Sequence, residues 1–330
     1  MRIGLVYDRF GDTPPPPGAP PDWDAEYEPE ETVAALEAAV FHLGHVPVRV
    51  GSARALLDLL AKGPPSFDVG WSIAEGYGTR NREAHAPVLL ELAGVPAVGS
   101  DALTLSVSLD KHLTKLIAAR AGLDTPAWTL VHAVEELADA ALPPLPAFVK
   151  PRYEGTSKGI APTSRCDTSA QLRAEVARQA ALYGQDLLVE AFVAGAEFTV
   201  GVVGHDPPEA LPVLQRATER ATGVGLHALE RHEDPAAPFA YDLSGRLDAP
   251  LEAALQRAAL AAHDALGCLD YSRSDFRVET NGRIWFLETN PLPTFAPDGT
   301  FAILAELAGR SYPDFLAGVL ARALRRLGLA

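Results

Sequence analysis

The chain has 330 residues, of which 48% are hydrophobic and 22% charged, and its formal net charge is −15 at pH 7. This composition is typical of a soluble globular protein of about two domains. The negative charge argues against nonspecific binding to nucleic acid or to an anionic membrane. No apolar run reaches the ~18 residues of a membrane span, and the start of the chain reads as a strand, not as a signal peptide. Cys166 and Cys268 lie far apart, which indicates free thiols and predicts a cytoplasmic protein.

The first third of the chain alternates strands with helices. The predicted strands are Ile3–Tyr7, Val46–Val50, Phe67–Trp71 and Val95–Val98, and the predicted helices are Glu30–Leu43, Ala53–Leu60 and Arg82–Leu92. This order predicts a parallel sheet flanked by helices, a Rossmann-like lobe. A long Pro-rich loop, from Asp12 to Tyr27, follows the first strand. Loops at the carboxyl ends of such strands commonly carry function.

The remainder of the chain mixes helices with strands, so the predicted fold class is α/β with α+β lobes. The predicted helices are Leu109–Ala121, Val134–Ala140, Ser169–Tyr183, Pro250–Leu266, Phe301–Ala308 and Pro313–Leu327. The predicted strands are Trp128–Val131, Ala147–Lys150, Leu187–Glu190, Glu197–Val203 and Leu211–Leu214. A loop from Arg152 to Gly159 separates two of these elements. Four of the five lysines lie close together in sequence, at positions 111, 115, 150 and 158. Their placement fits either chance or an anion site in an acidic protein.

The segment from Arg273 to Asn290 is predicted to form a β-hairpin, because Asn281-Gly282 is a strong signal for a two-residue turn. That turn pairs Thr280 with Arg283, Val278 with Trp285, Phe276 with Leu287, Asp275 with Glu288, and Arg273 with Asn290. Side chains alternate along a strand. One face is therefore predicted to be apolar and packed on the core (Phe276, Val278, Trp285, Leu287), and the other polar (Arg273, Asp275, Glu288, Asn290).

The polar face of this hairpin is a candidate metal site. Two carboxylates that face each other across a strand pair repel, and a cation between them reverses the sign of that interaction. Asp275, Glu288 and Asn290 offer oxygen ligands, which suit Mg²⁺. Arg273 can hold a phosphate or a developing negative charge. On these residues alone, a solvated face neutralised by Arg273 is an open alternative.

These residues resemble a known family. Arg273-Ser-Asp275 and Leu287-Glu288-Thr289-Asn290-Pro291 look like the metal-binding end of ATP-grasp ligases, specifically of D-alanine–D-alanine ligases and their relatives. Further similar segments occur in the family's order, namely Gly94–Pro96, Gly99–Asp101, Asp110-Lys111, Phe148–Pro151, Glu154–Gly159, Leu188–Glu190 and Gly195–Val200. The resemblance covers nearly the whole chain. It implies a Rossmann-like domain over 1–104, a central ATP-grasp lobe over 105–185 and a C-terminal ATP-grasp lobe over 186–330.

The resemblance also implies ATP and Mg²⁺ as cofactors, with two ions expected and Mn²⁺ as an alternative. Glu190 resembles the acid near the adenine amino group, and Glu197 the acid that accepts the ribose hydroxyls. Small residues in the loop from Glu154 to Gly159 let backbone N–H groups approach phosphate oxygens. The predicted catalytic residues are Arg273, Lys150 and Ser157. The predicted nucleotide-binding residues are Lys111, Lys150, Glu154, Gly155, Thr156, Ser157, Lys158, Glu190, Phe192, Val193 and Glu197.

The family's reaction needs no nucleophilic side chain. A substrate carboxylate attacks the γ-phosphate of ATP, and an amine then attacks the resulting acyl phosphate to give an amide, ADP and phosphate. Positioning and charge neutralisation supply the catalysis. Accordingly, no Ser-His-Asp or Cys-His constellation stands out, and His227 and His232 are predicted to be surface residues.

The chain departs from the family at the amino-acid subsites. The family's His-Gly-Arg-Gly-Gly-Glu-Asp-Gly stretch is replaced by Ser72–Gly78 and the residues that follow, and the family's Gly-rich first loop by the Pro-rich loop. No lysine follows Lys158, so Arg231 or His227 is the expected substitute for a later family lysine. The candidate substrate residues are Glu26, Glu28, Glu75, Tyr77, Arg80 and Thr300.

We therefore expect a ligase for a small-molecule carboxylate and amine other than two D-alanines. The alternatives are a divergent D-alanine–D-alanine ligase and a nucleotide-binding module without turnover. No nucleic-acid or membrane partner is expected, and a homodimer is expected only by analogy with the family.

Overall fold

The computed structural model describes residues 1–138, 140–225, 241–243 and 245–330. Four parallel strands form the first sheet, in the order β2-β1-β3-β4: β1 (Arg2–Tyr7), β2 (Val46–Gly51), β3 (Val69–Ile73) and β4 (Ala97–Val98). They are connected by helices α1 (Glu30–His42), α2 (Ala53–Leu60) and α3 (His85–Leu92). The predicted Rossmann-like lobe is confirmed.

The pairing of β1 with β3 decides where the site is built. Tyr7 and Ile73 are register partners at the carboxyl ends of these two strands. The Pro-rich loop leaves β1 at this point, and residues 74–84 leave β3 beside it. Two segments far apart in sequence therefore meet at one edge of the sheet, as is general for parallel sheets.

The two faces of this sheet pack against different helices, because alternate side chains of β1 point in opposite directions. Ile3 and Leu5 pack with α1 and with the last helix, α9 (Tyr312–Arg326). Val6 packs with residues of α2 and α3 on the opposite face. The C-terminal helix is thereby joined to the first lobe.

Two helices, α4 (Ala102–Leu109) and α5 (Lys111–Arg120), lead to the second sheet. This sheet is antiparallel in the order β5-β8-β6-β7 and is covered by α6 (Ser169–Tyr183). Thr168 and Gln171 form a capping box at the start of α6, and Gly184 ends it with a φ of 58°. The strands are β5 (Trp128–Val131), β6 (Ala147–Pro151), β7 (Arg165–Cys166) and β8 (Leu187–Ala191).

The third sheet is antiparallel, in the order β10-β9-β14-β15, and β11 also pairs with β9. Its strands are β9 (Ala196–Val203), β10 (Glu209–Ala210), β11 (Leu214–Arg216), β14 (Tyr271–Val278) and β15 (Ile284–Asn290). A separate pair joins β12 (Thr218–Glu219) to β13 (Tyr241–Asp242). Helix α7 (Ala249–Ala265) packs on the third sheet, and α8 (Thr300–Leu307) precedes α9. The division of the chain at residues 104 and 185 stays a prediction.

The hairpin β14–β15 confirms part of the predicted register and corrects the rest. Asp275 pairs with Glu288 and Arg273 with Asn290, as expected. The turn, however, has three residues, since Glu279 N–H donates to Arg283 O at 3.0 Å and Gly282 adopts a φ of 86°. A bulge at Leu287 then restores the original register.

The turn and the bulge change which residues reach the core. Val278 pairs with Ile284 and Phe276 with Phe286, and these four side chains pack with the third sheet. The predicted core positions of Trp285 and Leu287 are therefore wrong. The Arg283 guanidinium lies over the Trp285 ring at 3.9 Å. Leu287 lines the large cavity described below.

Several other element predictions need correction. The predicted helix from Leu109 to Ala121 is broken at Asp110, whose side chain caps α5 and also binds Arg152 at 2.7 Å. The predicted helix from Arg82 to Leu92 begins as a 3₁₀ turn over Arg82–Ala84, and the segment near Val134 is also 3₁₀. The predicted strand Leu211–Leu214 is replaced by β10, which ends at Ala210, and β11, which begins at Leu214. Among the described residues, no helix has the length and apolar character needed to cross a membrane.

Asp270 joins the third sheet to the first. Its side chain is 1% exposed, accepts a hydrogen bond from Gly99 N–H at 2.8 Å and pairs with Arg326 of α9 at 2.6 Å. Asp270 also has a φ of 64°, a conformation that Asp tolerates better than most residues. This contact fixes the C-terminal helix relative to β4.

We predict that Asp270→Ala lowers the free energy of unfolding by about 3–5 kcal/mol, because it leaves Arg326 and the Gly99 amide without their acceptor. Urea denaturation followed by circular dichroism measures the loss. Asp58→Ala is the control, since Asp58 and its partner Arg54 are exposed. It should change stability by less than about 0.5 kcal/mol, and equal losses in the two variants would contradict the assignment.

Candidate functional site

A cavity of about 700 Å³ lies where the three sheets meet. Its wall combines the Pro-rich loop, the loop after β6, the end of β8, and the polar face of β14–β15. Most of the residues predicted to form the site line it: Glu26, Glu28, Glu75, Lys111, Lys150, Glu154, Gly155, Thr156, Ser157, Lys158, Glu190, Phe192, Val193, Glu197, Arg273, Asp275, Glu288, Asn290 and Thr300.

The facing acids Asp275 and Glu288 are surrounded by cations. Arg273 pairs with Asp275 at 3.1 Å, and Lys111 Nζ lies 3.3 Å from Glu288. Burial alone would raise the pKa of Glu288, but the nearby cations Lys111, Lys150 and Arg273 lower it to about 2. Glu288 is therefore an anion at neutral pH, held in that form by side chains that also face the cavity.

The donor set of this acid pair fits a hard divalent cation. Asp275 and Glu288 provide carboxylate oxygens on adjacent strands, and Asn290 provides an amide oxygen. The Asn290 Oδ1 accepts a hydrogen bond from Leu292 N–H at 2.8 Å, which fixes its direction and leaves a second lone pair. Thr199 donates to Asp275 at 2.7 Å and orients that carboxylate. Oxygen ligands of this kind favour Mg²⁺ or Mn²⁺ over softer metals.

Glu190 lies near the end of β8 and lines the cavity, as predicted. Its buried carboxylate lies between Lys115 and Lys150, at 2.8 Å from each Nζ atom. Burial lowers the pKa of Lys115 to about 8 even though Glu190 opposes the shift. Glu190 is thus an ion-pair partner that positions Lys150, and it also binds Lys115, one of the four lysines that lie close together in the sequence.

The loop from Glu154 to Gly159 carries backbone strain beside the cavity. Thr156 and Ser157 have φ values of 47° and 60°, a region that non-glycine residues rarely adopt. Such strain persists only where neighbouring contacts hold the backbone. Lys111 Nζ donates to the Glu154 carbonyl and thereby ties α5 to the start of this loop.

The Pro-rich loop clamps the loop from Glu154 to Gly159. Glu26 accepts hydrogen bonds from Gly155 N–H at 2.8 Å and from Lys158 Nζ at 3.0 Å. Asp22 accepts one from Gly159 N–H at 2.9 Å. A Cβ at position 155 would come within 2.5 Å of Glu26 Oε1, so a larger residue there would displace the Glu26 carboxylate. Lys158 is therefore engaged by Glu26 and Glu154, and is not a solvated loop lysine.

Phe192 lies between two arginines at another part of the cavity wall. The guanidinium groups of Arg165 and Arg277 approach its ring at 4.8 and 5.0 Å. Arg277 also pairs with Glu197 at 2.7 Å and donates to Val193 O at 2.9 Å. The sequence did contain a signal for Arg277, since it follows Arg273 and Asp275 with the alternation of a strand.

Some predicted residues do not reach the cavity wall. Arg80 is exposed and Tyr77 packs edge-on against Trp23, and neither lines the cavity. The buried arginine of that segment is Arg82, which binds Glu26 at 2.6 Å. Arg216, another residue not predicted, lines the cavity and donates to Thr300. His227, Arg231 and His232 lie outside the described residues.

Comparison with known proteins identifies the family. Residues 118–321 match the family model described as D-ala D-ala ligase C-terminus. The chain belongs to the D-alanine–D-alanine ligase family. This membership confirms the predicted ATP-grasp fold and the predicted enzyme class, an ADP-forming carbon–nitrogen ligase that uses ATP and a divalent metal.

Two relatives illustrate the range of similarity. A D-alanine–D-alanine ligase of Cupriavidus taiwanensis is 35% identical over 75% of this chain and 73% of its own length. An uncharacterized protein, y4sG, of Sinorhizobium fredii is 28% identical over 99% of this chain and 98% of its own length.

Solved structures agree with the fold. The VanG D-Ala:D-Ser ligase from Enterococcus faecalis has a TM-score of 0.72 at 19% identity, covering 98% of this chain and 99% of that chain. A D-alanine–D-alanine ligase from Bacillus anthracis complexed with ATP has a TM-score of 0.69 at 20% identity, covering 98% and 97%.

We predict that Glu26→Gln releases the clamped loop, because Lys158 and Arg82 lose their shared carboxylate. Trypsin cleavage after Lys158 should accelerate at least about tenfold, since proteolysis follows the population of the open form. Asp24→Asn, on the same Pro-rich loop, is the matched control and should leave the cleavage rate unchanged. An unaltered rate in Glu26→Gln would contradict the clamp.

Proposed function

We propose that this chain is an ATP- and Mg²⁺-dependent ligase that forms an amide bond between a carboxylate and an amine other than two D-alanines. One observation carries the proposal. A single cavity is lined on one side by Asp275 and Glu288 with their neighbouring cations. On another side it is lined by Glu75, from the segment of the first lobe that follows β3. This arrangement supports phosphate chemistry and an altered substrate wall in one site.

Each part of the cavity suits a part of the reactants. Asp275, Glu288 and Asn290 would hold the metal, which supplies positive charge to phosphate oxygens when bound. Lys111, Lys150 and the amides of the loop from Glu154 to Gly159 suit the phosphates. Phe192, Val193 and Glu197 suit the nucleoside, with Glu197 as the acceptor of ribose hydroxyls.

The side chains of this site act by charge and position. A substrate carboxylate attacks the γ-phosphate of ATP to form an acyl phosphate and ADP, and the amine then displaces phosphate to form the amide. Arg273 and Lys150 offset the negative charge that develops during both steps. The strained loop at Thr156 and Ser157 covers the reacting groups and excludes water, which protects an acyl phosphate from hydrolysis.

A second candidate is a divergent D-alanine–D-alanine ligase, which the 35% identity with the Cupriavidus taiwanensis relative favours. A nucleotide-binding module without turnover is a third. The ordered cations around Asp275 and Glu288 argue against the third, because a protein without phosphate chemistry gains nothing from two facing carboxylates. Cytoplasmic location and a homodimer remain predictions.

Phosphate release tests the proposal directly. The enzyme is incubated with Mg-ATP and a matrix of carboxylates and amines, and ADP, phosphate and the product mass are measured. We expect an amide product with a pair that is not two D-alanines. Efficient turnover with D-alanine alone would favour the second candidate, and no turnover with any pair would favour the third.

We predict that Glu288→Gln retains the fold but lowers the metal-dependent kcat by about 10²–10³, the size of loss typical for one electrostatic group of a reaction centre. Excess EDTA should abolish turnover of the unaltered enzyme, and added Mg²⁺ should restore it. Glu279→Gln makes the same chemical change on the same hairpin, away from the cavity, and should keep full activity. Equal activities of the two variants would refute the metal assignment.

A further inference from the structure

The segments that follow β1 and β3 form an acidic part of the cavity wall. Carboxylate oxygens of Glu26, Glu75 and Glu83 lie within 4.8 Å of one another, and all three side chains are buried. Arg82 lies among them and binds Glu26 at 2.6 Å. Buried carboxylates this close together need compensating positive charge.

Glu75 differs from the other two acids. Glu26 is bound by Arg82, Lys158 and the Gly155 amide. Glu83 lies 3.9 Å from Arg82 and does not line the cavity. Glu75 lines the cavity at 8% exposure, and within the described ranges its carboxylate has no hydrogen-bond or ion-pair partner.

The charges of this wall do not balance among the described residues. Glu154 is bound by Lys158, so the cluster in and behind this wall contains four carboxylates (Glu26, Glu75, Glu83, Glu154) and two cations (Arg82, Lys158), with Glu28 and Lys111 acting on it from nearby. Burial, with the neighbouring acids Glu83, Glu26 and Glu28, holds the pKa of Glu75 well above its usual range, and Arg82 opposes this shift only in part. A cation bound at Glu75 would return it to the ionised form.

Glu75 stands apart from the reacting groups. The cations that act most strongly on Glu288 are Lys111, Lys150 and Arg273, whereas the cation that acts most strongly on Glu75 is Arg82. A role in substrate selection therefore fits Glu75 better than a role in phosphoryl transfer.

We propose that Glu75 binds an ammonium group that takes no part in the reaction, so that one substrate is a basic molecule such as a diamino acid. The inference rests on the proposed ligase function, since it names the class of one of the two substrates. Because an ammonium group at Glu75 would restore its ionised form, this wall favours a substrate with an ammonium group beyond its reacting groups over one without.

A metal ion is less suited to this wall than an ammonium group. Both Glu26 oxygens already accept hydrogen bonds, and the Arg82 guanidinium in the cluster repels a divalent cation. An ammonium group needs fewer ligands and can donate to Glu75 directly.

The test compares lysine with norleucine, which has the same side chain without the terminal nitrogen, using both enantiomers of each. Binding to the full chain is measured by calorimetry at pH 6.5 without ATP, in buffers of different ionisation enthalpy. We expect lysine to bind at least about tenfold more tightly than norleucine, because a buried charged hydrogen bond contributes strongly. We also expect proton release on binding lysine, because the ammonium group favours ionised Glu75.

Glu75→Gln should abolish both the preference for lysine and the proton release. It should still fold, because it removes a charge that its neighbours repel, and a thermal melt checks this. Glu83→Gln is the matched control in the same cluster and should keep the preference. Equal binding of lysine and norleucine to the unaltered enzyme would overturn the proposal, as would a preference that Glu75→Gln leaves intact.

A metal at this wall is a separate outcome of the same experiment. A thermal shift caused by Mn²⁺ alone, lost in Glu75→Gln but kept in Glu288→Gln, would overturn the ammonium assignment. Failure of the ligase function is distinguishable, because it would appear as no ADP release with any pair while Glu75-dependent binding of lysine persisted.

Discussion

Buried charges must be paired, and this constraint joins the three sheets around the cavity. Lys111 of α5 reaches Glu288 of the third sheet, and Lys150 of the second sheet reaches Glu190 on a neighbouring strand. Glu26 of the first lobe pairs with Lys158 beyond β6. A buried ion that loses its partner costs several kcal/mol. The ion pairs that face the cavity therefore also fix the positions of the lobes relative to one another. The same contacts contribute to both stability and function.

The hairpin illustrates how far local sequence patterns reach. The two-residue turn was wrong by one residue, and the bulge at Leu287 shifted the register by one residue in the opposite direction. The prediction that Asp275 faces Glu288 therefore succeeded through two errors that cancel. The assignment of Trp285 and Leu287 to the core failed, because it depended on the register between the turn and the bulge. A turn signal alone does not reveal a compensating bulge.

Signals local in the sequence predicted most helices and strands, and also the part of the site around Asp275 and Glu288. Helix α6 was predicted at its observed limits, Ser169–Tyr183, and a capping box and a glycine lie at its two ends. Lys115, Arg82 and Arg277 acquire their roles from partners 75, 56 and 80 residues away. No periodicity or spacing in the sequence identifies the partner of such a residue. The Glu26–Arg82 pair forms because β1 lies beside β3, and the Glu197–Arg277 pair because β9 lies beside β14.

Residues close together in sequence identify the reaction, whereas residues far apart in sequence form the substrate wall. The reaction is therefore easier to predict from the sequence than the substrates are. The facing acids of one hairpin and the lysine strand β6 are contiguous segments, and each retains recognisable residues. The substrate wall is assembled from a loop after β1, a segment after β3 and the region beyond β15, which meet only in the folded chain. A change such as the placement of Glu75 in that wall needs no change in the hairpin. Substrate choice can therefore diverge while the phosphate chemistry of Asp275 and Glu288 stays constant.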